Sequence, residues 1–92
     1  MMTPAQPDSS KISDAWNEPA LIQIGKGGIS EGIIAEAKRI IKRHKYVKVK
    51  LLRSTGADKY TKRGIFEELC QKIGATLVGI RGNTAVIYRL RK

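Results

Sequence analysis

Four residues, Gly25-Lys26-Gly27-Gly28, carry the clearest chemical signal in this sequence. They follow a short apolar run and precede a long helical pattern that starts near Glu31. Glycines at the end of a strand let the backbone turn tightly and come close to a ligand. Where such a loop enters a helix, open N–H groups and the helix dipole together attract an anion, most often a phosphate. Lys26 adds a mobile positive charge. An ordinary strand-to-helix turn also uses glycines, so the loop alone does not separate a binding site from a turn.

Other chemistries find little material. His44 and Cys70 are the single histidine and the single cysteine, too few for a closed metal site. Cys70 falls in an apolar helical stripe and reads as a buried thiol. His44 sits among cations at a helix end and reads as a packing or helix-end residue rather than a general base. Glu67 and Glu68 are neighbouring carboxylates expected on an outward helix surface. The glycine loop lacks both the GK[ST] ending of a P-loop and the three-glycine dinucleotide pattern. The sequence therefore predicts a protein that is not an enzyme, with no catalytic residue, no metal and no cofactor.

Charge gives the loop its context. The 92 residues carry 18 Lys and Arg against 8 Asp and Glu, a formal net charge of +10. Residues 1–20 hold Asp8, Asp14 and Glu18 against Lys11, a net −2, so the remainder carries +12. A folded unit this basic repels itself unless a polyanion offsets the charge, and nucleic acid is the natural partner. A membrane surface fits less well, because the basic residues are not joined to an exposed leucine-rich or aromatic face. A lone cysteine, no run of membrane-spanning length and no secretory start lead to the expectation of a cytoplasmic protein, and it is expected to be a monomer.

The positioning elements follow from periodicity. Residues 1–18, with Pro4, Pro7 and a polar run at 8–10, read as a flexible tail holding at most one short docked turn; residues 19–92 read as one domain. Trp16 reads as a lid on one edge of the sheet rather than as a base-stacking platform. Residues 20–24 form a first strand, expected to be central or covered on both sides. Ser30 is a helix N-cap, Glu31 complements the dipole, and Ile29 can staple to Ile34. The helix at 31–45 buries Ile33, Ala37, Ile40, Ile41 and His44, with Lys38, Arg39, Lys42, Arg43 and Lys45 on its other side.

Val47, Val49 and Leu51 alternate with Lys48 and Lys50, the pattern of a half-buried strand whose lysine face must meet solvent or a polyanion. Asp58 is a plausible cap for a second helix over 59–73, striped by Ile65, Leu69 and Ile73 with Phe66 and Cys70 alongside, and closed by Gly74. Lys59, Lys62 and Arg63 crowd its start, where positive charge opposes the dipole; such local conflicts mark function. Residues 76–81 and 84–90 form a hairpin about Gly82-Asn83, of type II′. The order β-α-β-α-β-β gives an α/β (α+β) sandwich: a four-stranded mixed sheet with two helices on one face.

The run IGKGGISEGIIAEAKRIIKRHKYVKVKLL, followed by TKRGIFEELCQKIGATLVGIRGNTAVIYR, resembles the CRM domain (chloroplast RNA splicing and ribosome maturation) in its stand-alone, YhbY-like prokaryotic form. The likeness extends from Leu21 to Arg89. It implies a fold like the C-terminal domain of translation initiation factor 3. It implies RNA binding through the glycine loop and neighbouring cations, and association with rRNA in precursors of the large ribosomal subunit. The family usually has a basic helix before its first strand; here that segment is acidic and broken by proline. The candidate RNA-binding residues are Gly25, Lys26, Gly27, Gly28, Lys38, Arg39, Lys42, Lys59, Lys62, Arg63, Arg81 and Arg89. Scarce aromatics favour a backbone clamp of the KH type over an RRM-like stacking sheet. An archaeal chromatin-type (Alba-like) nucleic-acid-binding protein is the alternative, and a small phosphate-ester hydrolase built on the glycine loop is a third reading.

Overall fold

A computed structural model describes residues 7–25, 27–52 and 59–90. The elements run α1 (Ser9–Asn17), β1 (Ile22–Ile24), α2 (Glu31–His44), β2 (Tyr46–Leu51), α3 (Lys59–Ile73), β3 (Thr76–Arg81) and β4 (Thr84–Tyr88). The sheet order is β1-β2-β4-β3, with β1 and β2 parallel and the other two pairs antiparallel. The expected mixed four-stranded sheet is present. The second crossover does not place β3 beside β2, because β4 folds back into the gap between them.

One face of the sheet is apolar and dry. Val47, Val49 and Leu51 of β2 join Ile22 and Ile24 of β1 and Ala85 and Ile87 of β4. Ala37 and Ile41 from α2, and Phe66, Leu69, Cys70 and Ile73 from α3, close this core from above. Both stripes sit at helical spacing, so each helix buries one side and leaves Lys38, Arg39, Lys42, Arg43, Arg63 and Lys72 outside. His44 departs from the expected stripe: it is exposed, because the helix ends there and the chain turns straight into β2. That turn holds Lys45 at φ 68°, in the left-handed region.

Helix ends follow their predicted chemistry. The Ser30 hydroxyl accepts from the Ile33 N–H at 3.2 Å, and Ile34 N–H donates to the Ser30 carbonyl at 2.9 Å. Gly74, at φ 70°, takes the left-handed position after α3, and Ala75 N–H reaches back to the Cys70 carbonyl at 2.8 Å. That six-residue closure is the Schellman arrangement. Gly82 has φ 59°, whereas Asn83 is not among the positive-φ residues, as a type II′ turn requires. Asp58, the expected cap of α3, lies outside the described residues.

Two further expectations are corrected. The tail assigned to residues 1–18 contains a nine-residue helix, α1, capped by the Asp8 carboxylate accepting from the Ser10 N–H at 2.9 Å. A helix so short is marginal by itself. Docking sustains it, which periodicity in so polar a segment does not reveal. It packs on β2 and β4 and buries Ala15. The first strand is shorter than expected and lies at the sheet edge. Ile22 and Ile24 point into the core, but Gln23 is exposed on the opposite face.

That opposite face is where α1 lies. Val86 pairs in register with Lys48, and it is fully buried without belonging to the core beneath α2 and α3. The Lys48 ammonium donates to the Trp16 carbonyl at 3.2 Å, and Asp8 N–H donates to the Tyr46 hydroxyl at 2.7 Å. The fold therefore has two helices on one face, as expected, and a third on the other.

Candidate nucleic-acid interface

The glycine loop leaves the sheet beside the end of β2. Leu52 N–H donates to the Ile24 carbonyl at 2.8 Å, so the two parallel strands end side by side. Gly28 N–H closes a turn onto the Gly25 carbonyl at 2.9 Å, and Gly28 has φ 68°. This conformation accounts for glycine at 28 but not at 27. A Cβ added at Gly27 would meet no described atom within 4 Å, and the residue is exposed. At Gly25 an added Cβ would lie 3.6 Å from Leu52 Cδ1. The loop is thus packed at its root and open at its tip. Lys26 lies outside the described residues.

The helix start is less welcoming to an anion than the sequence suggests. Ser30 already occupies one of the free N–H groups of the first turn, and the Glu31 carboxylate stands at the first helical position. Attraction for a phosphate must come from the loop backbone and from cations on neighbouring elements.

Topology supplies those cations. Because β3 runs in the same direction as β2, the C-terminal ends of β1, β2 and β3 share one edge of the sheet. The hairpin turn joins them there: Leu51 N–H donates to the Asn83 carbonyl at 2.7 Å. Lys62 and Arg63, near the start of α3, line a cavity of about 410 Å³ together with Ile80 and Gly82. Lys59 belongs by its backbone to the first turn of the same helix. Arg81 ends β3 at this edge. Arg63 is partly neutralised, its Nε lying 2.8 Å from Glu67 Oε1 in an exposed pair.

The remaining candidates are elsewhere. Lys38, Arg39 and Lys42 are exposed along the second half of α2, leading away from the loop. Arg89 lies at the opposite edge of the sheet, where its N–H donates to the Lys45 carbonyl at 2.9 Å. Its guanidinium is close to Gly74: a Cβ there would sit 3.7 Å from Arg89 Nε. A cation at the end of α3 complements the dipole, which is a structural role for Arg89.

Sequence reasoning missed one arrangement. The Arg81 guanidinium carbon lies 4.3 Å from the Trp16 ring centroid, in a cation–π contact between α1 and β3. Their separation of 65 positions hides this contact from any local pattern. Among the described residues, no group of three His, Cys, Asp or Glu could hold a metal ion. Burial pushes the Cys70 thiol up to about 11, with a smaller contribution from Glu67, the reverse of an activated nucleophile. No described helix is long and apolar enough to cross a membrane.

The CRS1/YhbY (CRM) domain family matches residues 11–89, from within α1 to the end of β4 and one residue beyond. The chain belongs to this family. A Pseudomonas aeruginosa protein named "Probable RNA-binding protein PA4753" is 35% identical over 72 residues, which are 78% of this chain and 65% of that protein. A Haemophilus influenzae protein named "RNA-binding protein" is 32% identical over 69 residues, 75% of this chain and 67% of that one. The solution structure of the hypothetical protein SAV1595 from Staphylococcus aureus superposes with a TM-score of 0.76 at 31% identity, covering 91% of this chain and 84% of that one. The chain thus spans slightly less than two thirds of the Pseudomonas relative. In this CRM domain the helix before the first strand is present but not basic: Lys11 and Asp14 balance on it, and Asp8 and Glu18 flank it at its caps.

Proposed function

We propose that this CRM domain is a monomeric RNA-binding protein that acts without catalysis and associates with rRNA in precursors of the large ribosomal subunit. The phosphate backbone is held at the sheet edge that carries Gly25–Gly28, Lys59, Lys62, Arg63 and Arg81, while Lys38, Arg39 and Lys42 extend the positive field along α2. One observation carries the reading. The open tip of the glycine loop and the cationic start of α3 leave the same edge of a domain whose residues after position 20 carry +12. Two of the similar proteins are named for RNA binding, which supports it.

The test is binding of a labelled rRNA fragment by the wild-type chain and by Gly27→Asp. The replacement has room for its side chain and sets a carboxylate where a phosphate would lie. Affinity should fall about tenfold, with the melting temperature little changed. With ~4 to 6 phosphates engaged, log K should fall against log salt with a slope of roughly −3 to −4. Unchanged affinity would return the loop to the role of a turn. Competition with duplex DNA at one salt concentration separates this reading from a general nucleic-acid binder, which would bind both equally. Crosslinking in cell extract should enrich large-subunit precursor sequences; reads spread over all transcripts would remove the ribosomal assignment.

A further inference from the structure

The face of the sheet that carries α1 is not fully covered. Beyond the end of that helix a row of side chains crosses all four strands. Gln23 pairs with Lys50, Lys50 with Thr84, and Thr84 with Arg81. Side chains at paired positions point to the same face, so the four stand side by side, roughly 14 Å from end to end at ordinary strand spacing. Gln23, Lys50 and Arg81 are exposed and Thr84 is half-buried. The row contains two cations and no acid. On this face it is the last row before the edge from which the glycine loop and the hairpin turn depart.

Its two ends are organised differently. At the β3 end, the Arg81 guanidinium lies on the Trp16 ring at 4.3 Å, and the Thr84 hydroxyl donates to the Arg81 carbonyl at 2.8 Å. A guanidinium resting on an indole in an exposed residue is a flat cationic shelf, and such planes stack nucleobases. At the β1 end, Lys50 and Gln23 offer a charge for phosphate and an amide for a base or sugar edge. The acids of α1 do not oppose this: Asp14 and Glu18 line a groove with His44 and Tyr46, whereas Trp16 and Ser13 line another with Arg81.

We propose that the row Gln23–Lys50–Thr84–Arg81 is a contact surface for single-stranded RNA, with a base stacked on the Arg81–Trp16 shelf and a phosphate at Lys50. This rests on the RNA-binding reading above and extends it from the loop edge onto the open sheet face. A strand held at the glycine loop passes directly onto this row. Positive charge without acids selects a polyanion, and the shelf adds affinity for one that carries flat bases. Helix α1 gives the row its boundary by lying over Lys48 and Val86 and ending at Asn17, one residue after Trp16.

The experiment uses the full chain and a fluorescein-labelled single-stranded RNA of about a dozen nucleotides and mixed sequence. Arg81→Lys keeps the charge and loses the plane; binding should weaken about fivefold or more. Lys50→Gln should flatten the log K against log salt slope by about 0.7. Emission from Trp16, the chain's one tryptophan, should change saturably with the same midpoint as the RNA anisotropy. If both variants stay within about twofold of wild type and Trp16 emission is unmoved while Gly27→Asp still weakens binding, the row is overturned and the loop reading stands. If the wild-type chain leaves the RNA anisotropy unchanged, both fall. An oligoglutamate peptide that binds as tightly as the RNA, with the same loss on Arg81→Lys, would overturn the RNA assignment in favour of an acidic protein partner.

Discussion

The two faces of the sheet solve different problems with the same four strands. Beneath α2 and α3 the strands present Val47, Val49, Leu51, Ala85 and Ile87, and the helices answer with Ile41, Phe66, Leu69 and Ile73, all of them 0–2% exposed. The contact is apolar and continuous, so its stabilisation scales with area removed from water. Under α1 the same strands present Tyr46, Lys48, Val86 and Tyr88, and one short helix meets them through a capped end, a lysine and a stacked guanidinium. Tyr46 and Tyr88 stack with ring centroids 5.9 Å apart. The first face holds the domain together. The second is held by a few directional contacts, and the part of it beyond α1 stays open to a partner.

That contrast can be broken from either side. The largest effect belongs to the core face: Phe66→Ala should cost about 3–5 kcal/mol in chemical denaturation, because it empties a fully buried site between α3 and the sheet. Val86→Ala, fully buried on the α1 face, should cost about 1–2 kcal/mol, from the loss of two methyl groups. A cost equal to that at Phe66 would mean that the faces are not different in kind. Lys48→Met removes the donor to the Trp16 carbonyl; about 1 kcal/mol should be lost, with greater quenching of Trp16 by acrylamide as the direct sign that α1 has loosened.

The smallest effect is the dependence of α1 on acid. The Ser10 hydroxyl, followed by its backbone N–H, holds the Asp8 carboxyl below its ordinary value of 3.8. A folded-state value below the unfolded one contributes stability that is complete above the ordinary value. It is lost as pH falls through the lowered one. Trp16 emission should therefore respond to acid below the usual carboxylate range, and Asp8→Asn should abolish that response. A transition left unchanged in Asp8→Asn would assign it to other carboxylates.

Much of this fold is written locally. The Ser30 cap, the Gly74 Schellman closure, the Gly82-Asn83 hairpin and the stripes of α2 and α3 each depend on residues a few positions apart, and, His44 apart, each stands where its pattern predicts. The errors fall where the deciding partner is distant. The α1 segment is polar and too short to persist alone, so its helix depends on Tyr46 and Lys48, more than 30 positions away. The first strand looked covered because its length and apolar neighbours suggested it, whereas the alternation in Ile22-Gln23-Ile24 already separated an inward from an outward face. The place of Arg89, beside Gly74 at the end of α3, is likewise set by a chain reversal and not by a local pattern.

By itself the sequence determined the glycine loop, the cationic start of α3 and the alternating lysines of β2, because strand and helix periods are properties of consecutive residues. Tertiary structure alone decided that the loop, the hairpin and the start of α3 leave one edge, and that Gln23, Lys50, Thr84 and Arg81 stand in one row. Strand order and register depend on hydrogen bonds between segments tens of residues apart, and a register shift of one residue would turn that row into the core.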